Sequence, residues 1–188
     1  AEALADRLLA WQLAFWQEAL SRIGRYIQVI KLNDDLGWHE GPLMSPATYR
    51  RVYMPRHRAL IAFIRERTEA RILLHSDGNI RPLLPDLQEA GFEILNPLEV
   101  TARDMDSGRL KAEFGDRFVF WGGGCGNVLL TEGTPAQVAE EVHQRIRDLA
   151  PGGGYVFAPI HIIQPTVPPE NIVAFFGAAL RWGRYPIA

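Results

Sequence analysis

Apolar side chains at the start of the chain recur at the spacing of an amphipathic helix. Leu4, Leu8, Trp11, Phe15 and Ala19 follow one another at intervals of three and four residues. Residues at this spacing lie on one face of an α-helix, and the charged residues between them face away. We therefore predict a leading helix over residues 1–22.

Five short apolar runs follow, and each is succeeded by polar residues and a helical pattern. The predicted strands cover residues 26–32, 71–74, 92–95, 118–121 and 155–158. The predicted helices cover residues 45–68, 80–90, 106–114, 134–149 and 168–182. Ser45 and Thr134 are suitable N-cap residues, and Gly91 and Gly115 suit helix ends. Pro55 is expected to bend or split its helix, because proline lacks the N–H that the helix needs.

Alternating strands and helices with short connections predict parallel β/α units. The strand segments are apolar on both faces, as expected for strands that helices cover. A doubly wound open sheet and part of an eight-stranded barrel both fit this order. Polar residues after nearly every strand favour the barrel, because TIM-type barrels carry their active sites there. We predict one α/β domain over residues 1–188, a partial (β/α) barrel of the TIM type that comprises about five C-terminal units of eight.

Composition narrows the class of protein. The formal net charge is −2 and no basic block is present, which argues against nucleic-acid binding. No apolar run approaches the ~20 residues that cross a bilayer, and the first residues do not resemble a signal peptide. Cys125 is the single cysteine, which excludes an intrachain disulfide and suits the reducing cytoplasm. The chain does not begin with methionine, which hints at a longer protein.

Two predicted strands lead into histidines, His75 and His161. Since parallel strands end at one edge of a sheet, the two imidazoles are expected to face a shared pocket. Asp77 follows His75 by two residues, so both side chains lie on one face in extended geometry. Three such ligands with one open position make a catalytic zinc site. Alternatively, Asp77 fixes a histidine tautomer or caps a helix, and His161 is a hydrogen-bonded core residue.

Other polar residues follow the first and third strands. Asp34 and Asp35 are adjacent, so they point opposite ways, and we expect one of them to face the barrel mouth and accept protons or hydrogen bonds from substrate. A simple turn is the alternative for this pair. Asn96 and Glu99 are expected to line the same mouth.

The glycine-rich residues 122–127 lack the lysine and hydroxyl residue of a P-loop. This loop has two interpretations: its backbone approaches a substrate closely, or it is only a turn. Cys125 is a weaker candidate for a soft metal ligand or a nucleophile. The remaining histidines, His39, His57 and His143, are predicted to lie in loop or helix surface positions without chemistry.

Six segments resemble the uroporphyrinogen decarboxylase superfamily, in order and with fitting spacing, over nearly the whole chain from about residue 26. They are residues 34–37 (DDLG), 41–46 (GPLMSP), 75–82 (HSDGNIRP), 89–97 (EAGFEILNP), 120–124 (FWGGG) and 168–172 (PPENI). The combination is far more specific than any one of these motifs.

The resemblance implies one of two chemistries on a barrel. The decarboxylases remove acetate carboxyls from a tetrapyrrole without a cofactor. The corrinoid-dependent methyltransferases use zinc to activate a thiol, and bind the metal through a His-x-Cys pair and a cysteine on the last strand. His75 matches the histidine, whereas Asp77 and His161 replace the two cysteines. Such a set is harder than His-Cys-Cys but would still serve as a Lewis acid or water activator.

We favour the methyltransferase branch, although His161 also matches a histidine in the substrate cleft of the decarboxylases. A tetrapyrrole with many carboxylates needs a basic cleft, and the strand-end loops offer only two arginines, Arg81 and Arg103. In this interpretation zinc is bound by His75, Asp77 and His161, the substrate is a small molecule and the partner is a corrinoid protein.

Further roles are predicted for residues at the mouth. Asp35 and His161 are predicted to be catalytic, and substrate binding is predicted for Asp34, Asn96, Glu99, Gly123 and Gly124. In the decarboxylase alternative, Asp34 or Asp35 stabilises a protonated pyrrole intermediate. A third alternative is a half-barrel without activity of its own. Because an incomplete barrel exposes strand edges, we expect a homo-oligomer or completion by missing N-terminal units.

Overall fold

The computed structural model describes residues 1–187. Its central element is a parallel sheet in the order β1-β4-β5-β6-β7. These strands are β1 Val29–Asn33, β4 Arg71–His75, β5 Ile94–Asn96, β6 Val119–Trp121 and β7 Tyr155–Val156. All five predicted strands are therefore present and parallel. Four are shorter than their apolar runs, whereas β4 extends one residue further, to His75.

The order of the strands distinguishes the two predicted architectures. Each strand pairs with the next parallel strand along the chain, and the order never reverses. A doubly wound sheet requires such a reversal, whereas a β/α barrel adds its strands in sequence. Right-handed crossovers in one direction also put all the connecting helices on one face. The fold is a partial TIM-type β/α structure, and residues 1–187 form no closed barrel.

The helices agree closely with the apolar periodicity. Their bounds are α1 Glu2–Ile23, α2 Pro46–Thr48, α3 Met54–Arg65, α4 Leu84–Ala90, α5 Ser107–Phe114, α6 Asn127–Glu132, α7 Pro135–Leu149 and α8 Pro169–Trp182. Ser45 and Thr134 cap α2 and α7 as predicted, and Thr134 forms a reciprocal capping box with Gln137. No helix in residues 1–187 is both long enough and apolar enough to cross a membrane.

Pro55 affects its helix as expected. A π-helical turn, Tyr49–Tyr53, separates α2 from α3, and Pro55 lies in the first turn of α3. The guanidinium of Arg56 donates hydrogen bonds to the carbonyls of Arg51 (3.4 Å) and Val52 (2.9 Å). The side chain thus bonds the Arg51 carbonyl that an amide at position 55 would have bonded, so the chain continues as α3.

Two elements were not predicted. A short antiparallel hairpin pairs β2 Gly37–Trp38 with β3 Gly41–Pro42, and α6 follows the glycine-rich loop. The hairpin strands are too short to have a detectable alternation. The hairpin is held by a tertiary contact, because the amide of Asn79 donates to the carbonyl of Trp38 (2.8 Å).

The core consists of two clusters of buried apolar side chains. A larger cluster packs β1, β4, β5 and β6 against α3 and α4, with fully buried members such as Ile72, Leu74, Leu84 and Phe120. A smaller cluster joins α7 and α8 around Val142 and Phe175. This packing fixes the strand ends from which the polar residues project.

Candidate metal centre

His75 is the last residue of β4, the second strand of the sheet. The register sets it opposite Asn33 at the end of β1 and opposite Asn96 at the end of β5. His161 lies five residues beyond the end of β7 and reaches back to the same edge. The rings of His75 and His161 stand 5.8 Å apart, centroid to centroid, so the two imidazoles lie next to each other as predicted.

The amide of Asn96 orients the ring of His75. Its Oδ1 lies 2.9 Å from Nδ1 of His75, and its Nδ2 donates to the carbonyl of Trp121 at 3.4 Å. The contact with Trp121 turns the amide oxygen toward the ring, so Nδ1 of His75 carries the proton. The lone pair of Nε2 is then free to bind a metal, and an oriented amide of this kind is typical of metal-binding histidines.

Asp77 and His161 meet without the geometry of a hydrogen bond. Oδ1 of Asp77 lies 2.8 Å from Nε2 of His161, yet this buried oxygen has no hydrogen-bond partner among residues 1–187. Burial of this oxygen is costly unless the neighbouring imidazole or a bound cation compensates its charge. One ligand atom from each of His75, Asp77 and His161 lies within 4.8 Å of the other two. Ligands of a tetrahedral zinc ion are about 3.3 Å apart, so the Asp77–His161 pair must open slightly and the more distant donors must close for all three to bind one metal.

The loop that carries Asp77 is bonded to the loop after β1 at three successive points. The amide of Asp34 donates to the carbonyl of His75 (3.0 Å), and the amide of Leu36 donates to the hydroxyl of Ser76 (2.9 Å). The amide of Asp77 donates to Oδ1 of Asp35 (3.3 Å). Asp35 therefore contacts the loop that carries Asp77, and its catalytic role stays a prediction.

Asp34 points the opposite way, toward α3. Its Oδ2 accepts from Nε2 of His57 at 3.0 Å, and Nδ1 of His57 lies 3.0 Å from the hydroxyl of Tyr49. Tyr49 is fully buried, and burial, followed by the charges of Asp34 and Asp86, raises the pKa of its phenol. The phenol therefore remains a donor to His57, which fixes the proton of His57 on the nitrogen that faces Asp34.

The expectation that His57 is a surface residue was wrong. It is 9% exposed and contacts the ring of Phe92 edge-on. The signal was present in the sequence, because His57 follows Met54 by three residues and precedes Leu60 and Ile61 by three and four. These residues form the buried stripe of α3.

The remaining predicted residues occupy other surroundings. The carboxylate of Glu99 accepts from the hydroxyl of Thr101 at 2.6 Å. Gly123 has φ +73°, and a Cβ there would lie 2.6 Å from the carbonyl oxygen of Leu98. A Cβ on Gly124 would lie 2.6 Å from the ring of Phe157. Both glycines are buried and allow close packing of the protein on itself.

The other cysteine and histidine side chains lie away from the three candidate ligands. Cys125 is fully buried beneath α7, and burial raises the pKa of its thiol to about 12, so it is a poor nucleophile. His143 stacks on Trp182 of α8 at 4.3 Å between ring centroids, and His39 is exposed next to the β2–β3 hairpin. His39 and His143 thus fit their predicted structural roles.

Comparison with known proteins extends the sequence resemblance. The profile of the family described as "Uroporphyrinogen decarboxylase (URO-D)" matches residues 3–182, including α1, which lies before the motifs recognised in the sequence. No curated protein matches the chain.

A solved structure has a similar fold. It is described as a "methyltransferase from Methanosarcina mazei", with a TM-score of 0.61 and 24% identity over 84% of this chain. The chain spans 43% of the length of that protein. Since the family profile covers nearly every described residue, the chain belongs to the uroporphyrinogen decarboxylase family.

Proposed function

We propose that this chain contributes the metal-binding edge of a zinc-dependent methyltransferase or demethylase that acts on a small molecule together with a corrinoid protein. The observation that carries the proposal is the buried Oδ1 of Asp77, which lies 2.8 Å from His161 and lacks a hydrogen-bond partner among the described residues. His75 adds a second imidazole with its metal-binding nitrogen free. The methyltransferase name of the structurally similar protein is consistent with this choice.

Each residue has a defined task in this proposal. His75, Asp77 and His161 would hold the zinc ion, and Asn96 keeps the proton of His75 on the nitrogen that faces away from it. When bound, zinc supplies a Lewis acid that polarises or deprotonates the group to be activated. The carboxylate of Asp35, half of which is engaged by the amide of Asp77, has its second oxygen available to accept a proton from that group.

The charge and hardness of the three candidate ligands favour activation of an oxygen group over activation of a thiol. Two imidazoles and one carboxylate leave a bound divalent zinc ion with one positive charge, whereas a set with two thiolates would leave it neutral. A higher residual charge lowers the pKa of a bound oxygen group more strongly. We therefore propose that the group activated in this protein binds through oxygen.

Metal analysis of the purified protein tests the proposal. We expect one zinc ion per chain, and at least tenfold weaker zinc binding in His75→Ala, because two remaining ligands make a poor site. The matched control is His143→Ala, which removes a histidine that stacks on Trp182. Protein that binds no zinc at micromolar concentration, or equal losses in both variants, would contradict the proposal.

A metal-free decarboxylase is the second candidate, and one contact favours it. Without a metal, a protonated His161 and the carboxylate of Asp77 at 2.8 Å form an ordinary ion pair. In that case Asp35, with its exposed carboxylate, is the residue to stabilise a protonated pyrrole. Release of carbon dioxide from a porphyrinogen by chelator-treated protein would establish this reaction in place of the first.

A further inference from the structure

We infer that His57, held by Tyr49, is a positioning residue that anchors the metal-binding loop through Asp34. The inference rests on the proposed function in that a metal binds at His75, Asp77 and His161. His57 itself touches none of the three ligands, and its polar partners are Tyr49 and Asp34. Its effect is transmitted through the backbone of residues 34–36.

The first step is the immobilisation of His57. Its ring is buried against Phe92, and both ring nitrogens are engaged, Nδ1 by the hydroxyl of Tyr49 and Nε2 by Asp34, each at 3.0 Å. Tyr49 is 0% exposed, so its hydroxyl has no access to solvent. A histidine that served only to fill the core would not need two polar partners, and an apolar residue would avoid their desolvation.

The second step is the anchoring of Asp34. About a third of its side chain is exposed, 37%, so solvent alone would allow it several rotamers. The N–H of His57 selects one rotamer, which holds the carboxylate against α3. The next residue, Asp35, accepts from the amide of Asp77.

The third step is the transfer of this order to the ligands. The two loops are joined by three hydrogen bonds of 2.9–3.3 Å. Residue 34 bonds residue 75, residue 35 bonds residue 77, and residue 36 bonds residue 76. The same short segment thus receives the anchor from α3 on one side and positions His75 and Asp77 on the other. Remote groups that orient ligands typically change metal affinity by about 10- to 100-fold.

Substitution of His57 tests the inference with Co²⁺ as a spectroscopic probe and Zn²⁺ in chelator competition. We expect His57→Leu to weaken binding of both metals about tenfold and to alter the cobalt ligand-field bands, since Asp77 is no longer held in place. His57→Gln, whose amide N–H can still donate to Asp34, is expected to restore most of the affinity. Val142→Ala is the matched control, because it destabilises the buried face of α7 without touching this chain of contacts.

Amide hydrogen exchange gives a readout that does not depend on a metal. The amides of Asp34 and Asp77 should exchange faster in His57→Leu than in Val142→Ala, compared at equal global stability. The reason is that the hydrogen bonds of these amides to His75 and Asp35 are loosened. Unchanged exchange at both amides overturns the inference. Equal zinc affinities of His57→Leu and Val142→Ala also overturn the inference, provided that the unsubstituted protein binds zinc. If the unsubstituted protein binds no zinc, the proposed function fails, and the exchange result alone decides whether His57 anchors the loop.

Discussion

The carboxylate of Asp77 determines the hardness of the candidate metal site. We expect Asp77→Cys to tighten zinc binding by about tenfold, because zinc prefers thiolate to carboxylate, and to add a sulfur-to-metal charge-transfer band when cobalt is bound. Asp77→Asn, which keeps the volume but loses the charge, should weaken binding. The measurement is chelator competition on the three proteins, and weaker binding by the cysteine variant would show that position 77 does not face the metal.

The buried thiol of Cys125 makes stability dependent on alkaline pH. Burial raises its pKa from 9.0 to about 12, so the unfolded chain loses this proton at lower pH than the folded protein. The contribution of the neutral thiol is therefore fully present below pH 9 and declines as pH rises toward 12.

Urea unfolding at pH 8 and pH 10 checks this dependence. Between these values the unsubstituted protein should lose about 1 kcal/mol more free energy of unfolding than Cys125→Ala, which has no group to titrate there. Tyr49 and Tyr155 also have raised pKa values but are present in both proteins, so they cancel in the comparison. Identical losses in the two proteins would argue that the thiol is accessible to base.

At the scale of elements, the turn after Asp77 depends on Gly78. Its φ is +74°, and a Cβ there would lie 2.6 Å from the backbone of Trp38 in the β2–β3 hairpin. Gly152 has the same φ, +74°, but nothing lies within 4 Å of the position of its Cβ. The pair therefore separates backbone strain from steric overlap.

Alanine substitution at these two glycines should have unequal effects. Gly152→Ala should cost about 1 kcal/mol from the left-handed conformation alone. Gly78→Ala should cost at least about 2 kcal/mol more, because the hairpin must move, and it should also weaken zinc binding. Equal free energies of unfolding for the two variants would mean that the hairpin yields without cost.

The capping box of α7 gives a second prediction at this scale. The hydroxyl of Thr134 accepts from the amide of Gln137, and the side chain of Gln137 accepts from the amide of Thr134. Thr134→Ala should lower the free energy of unfolding by about 1 kcal/mol, whereas Thr134→Ser should retain most of it. Thermal or urea unfolding measures both, and a serine variant as unstable as the alanine variant would refute the capping role.

At the scale of the whole molecule, the sheet has two open edges and α1 has an uncovered apolar face. Strands β1 and β7 form the edges. The apolar stripe of α1 is largely exposed, with Trp11 at 67% and Leu4 at 63%. Open edges and apolar stripes both promote association with another chain or segment.

We expect the 188-residue chain to self-associate with increasing concentration. Trp11→Arg should shift the distribution toward monomer, because it places a charge in the stripe of α1. Val128→Arg is the control, since Val128 is equally exposed but lies on α6. Light scattering coupled to gel filtration measures the mass, and a monomer at every concentration of the unsubstituted chain would contradict the expectation.

Much of this architecture could be predicted from apolar periodicity and helix punctuation. The strands, the capped helices and the effect of Pro55 follow from interactions between residues close in sequence, and the proximity of His75, Asp77 and His161 follows from the rule that parallel strands end at one edge. The family also followed from the order of its motifs, and the profile match confirms it.

Other features depend on contacts between distant residues. The hairpin of β2 and β3 exists because of a bond to residue 79, and the direction of Asp34 is set by His57 on α3. The polar residues after the strands favoured a barrel segment over a doubly wound sheet, and the order of the strands confirmed it. The sequence by itself determined the elements and the types of side chain at their ends, because these depend on local periodicity. Only the tertiary structure decided which polar atoms pair and which buried ones, Oδ1 of Asp77 among them, have no hydrogen-bond partner among residues 1–187, because pairing depends on distances that no local pattern encodes.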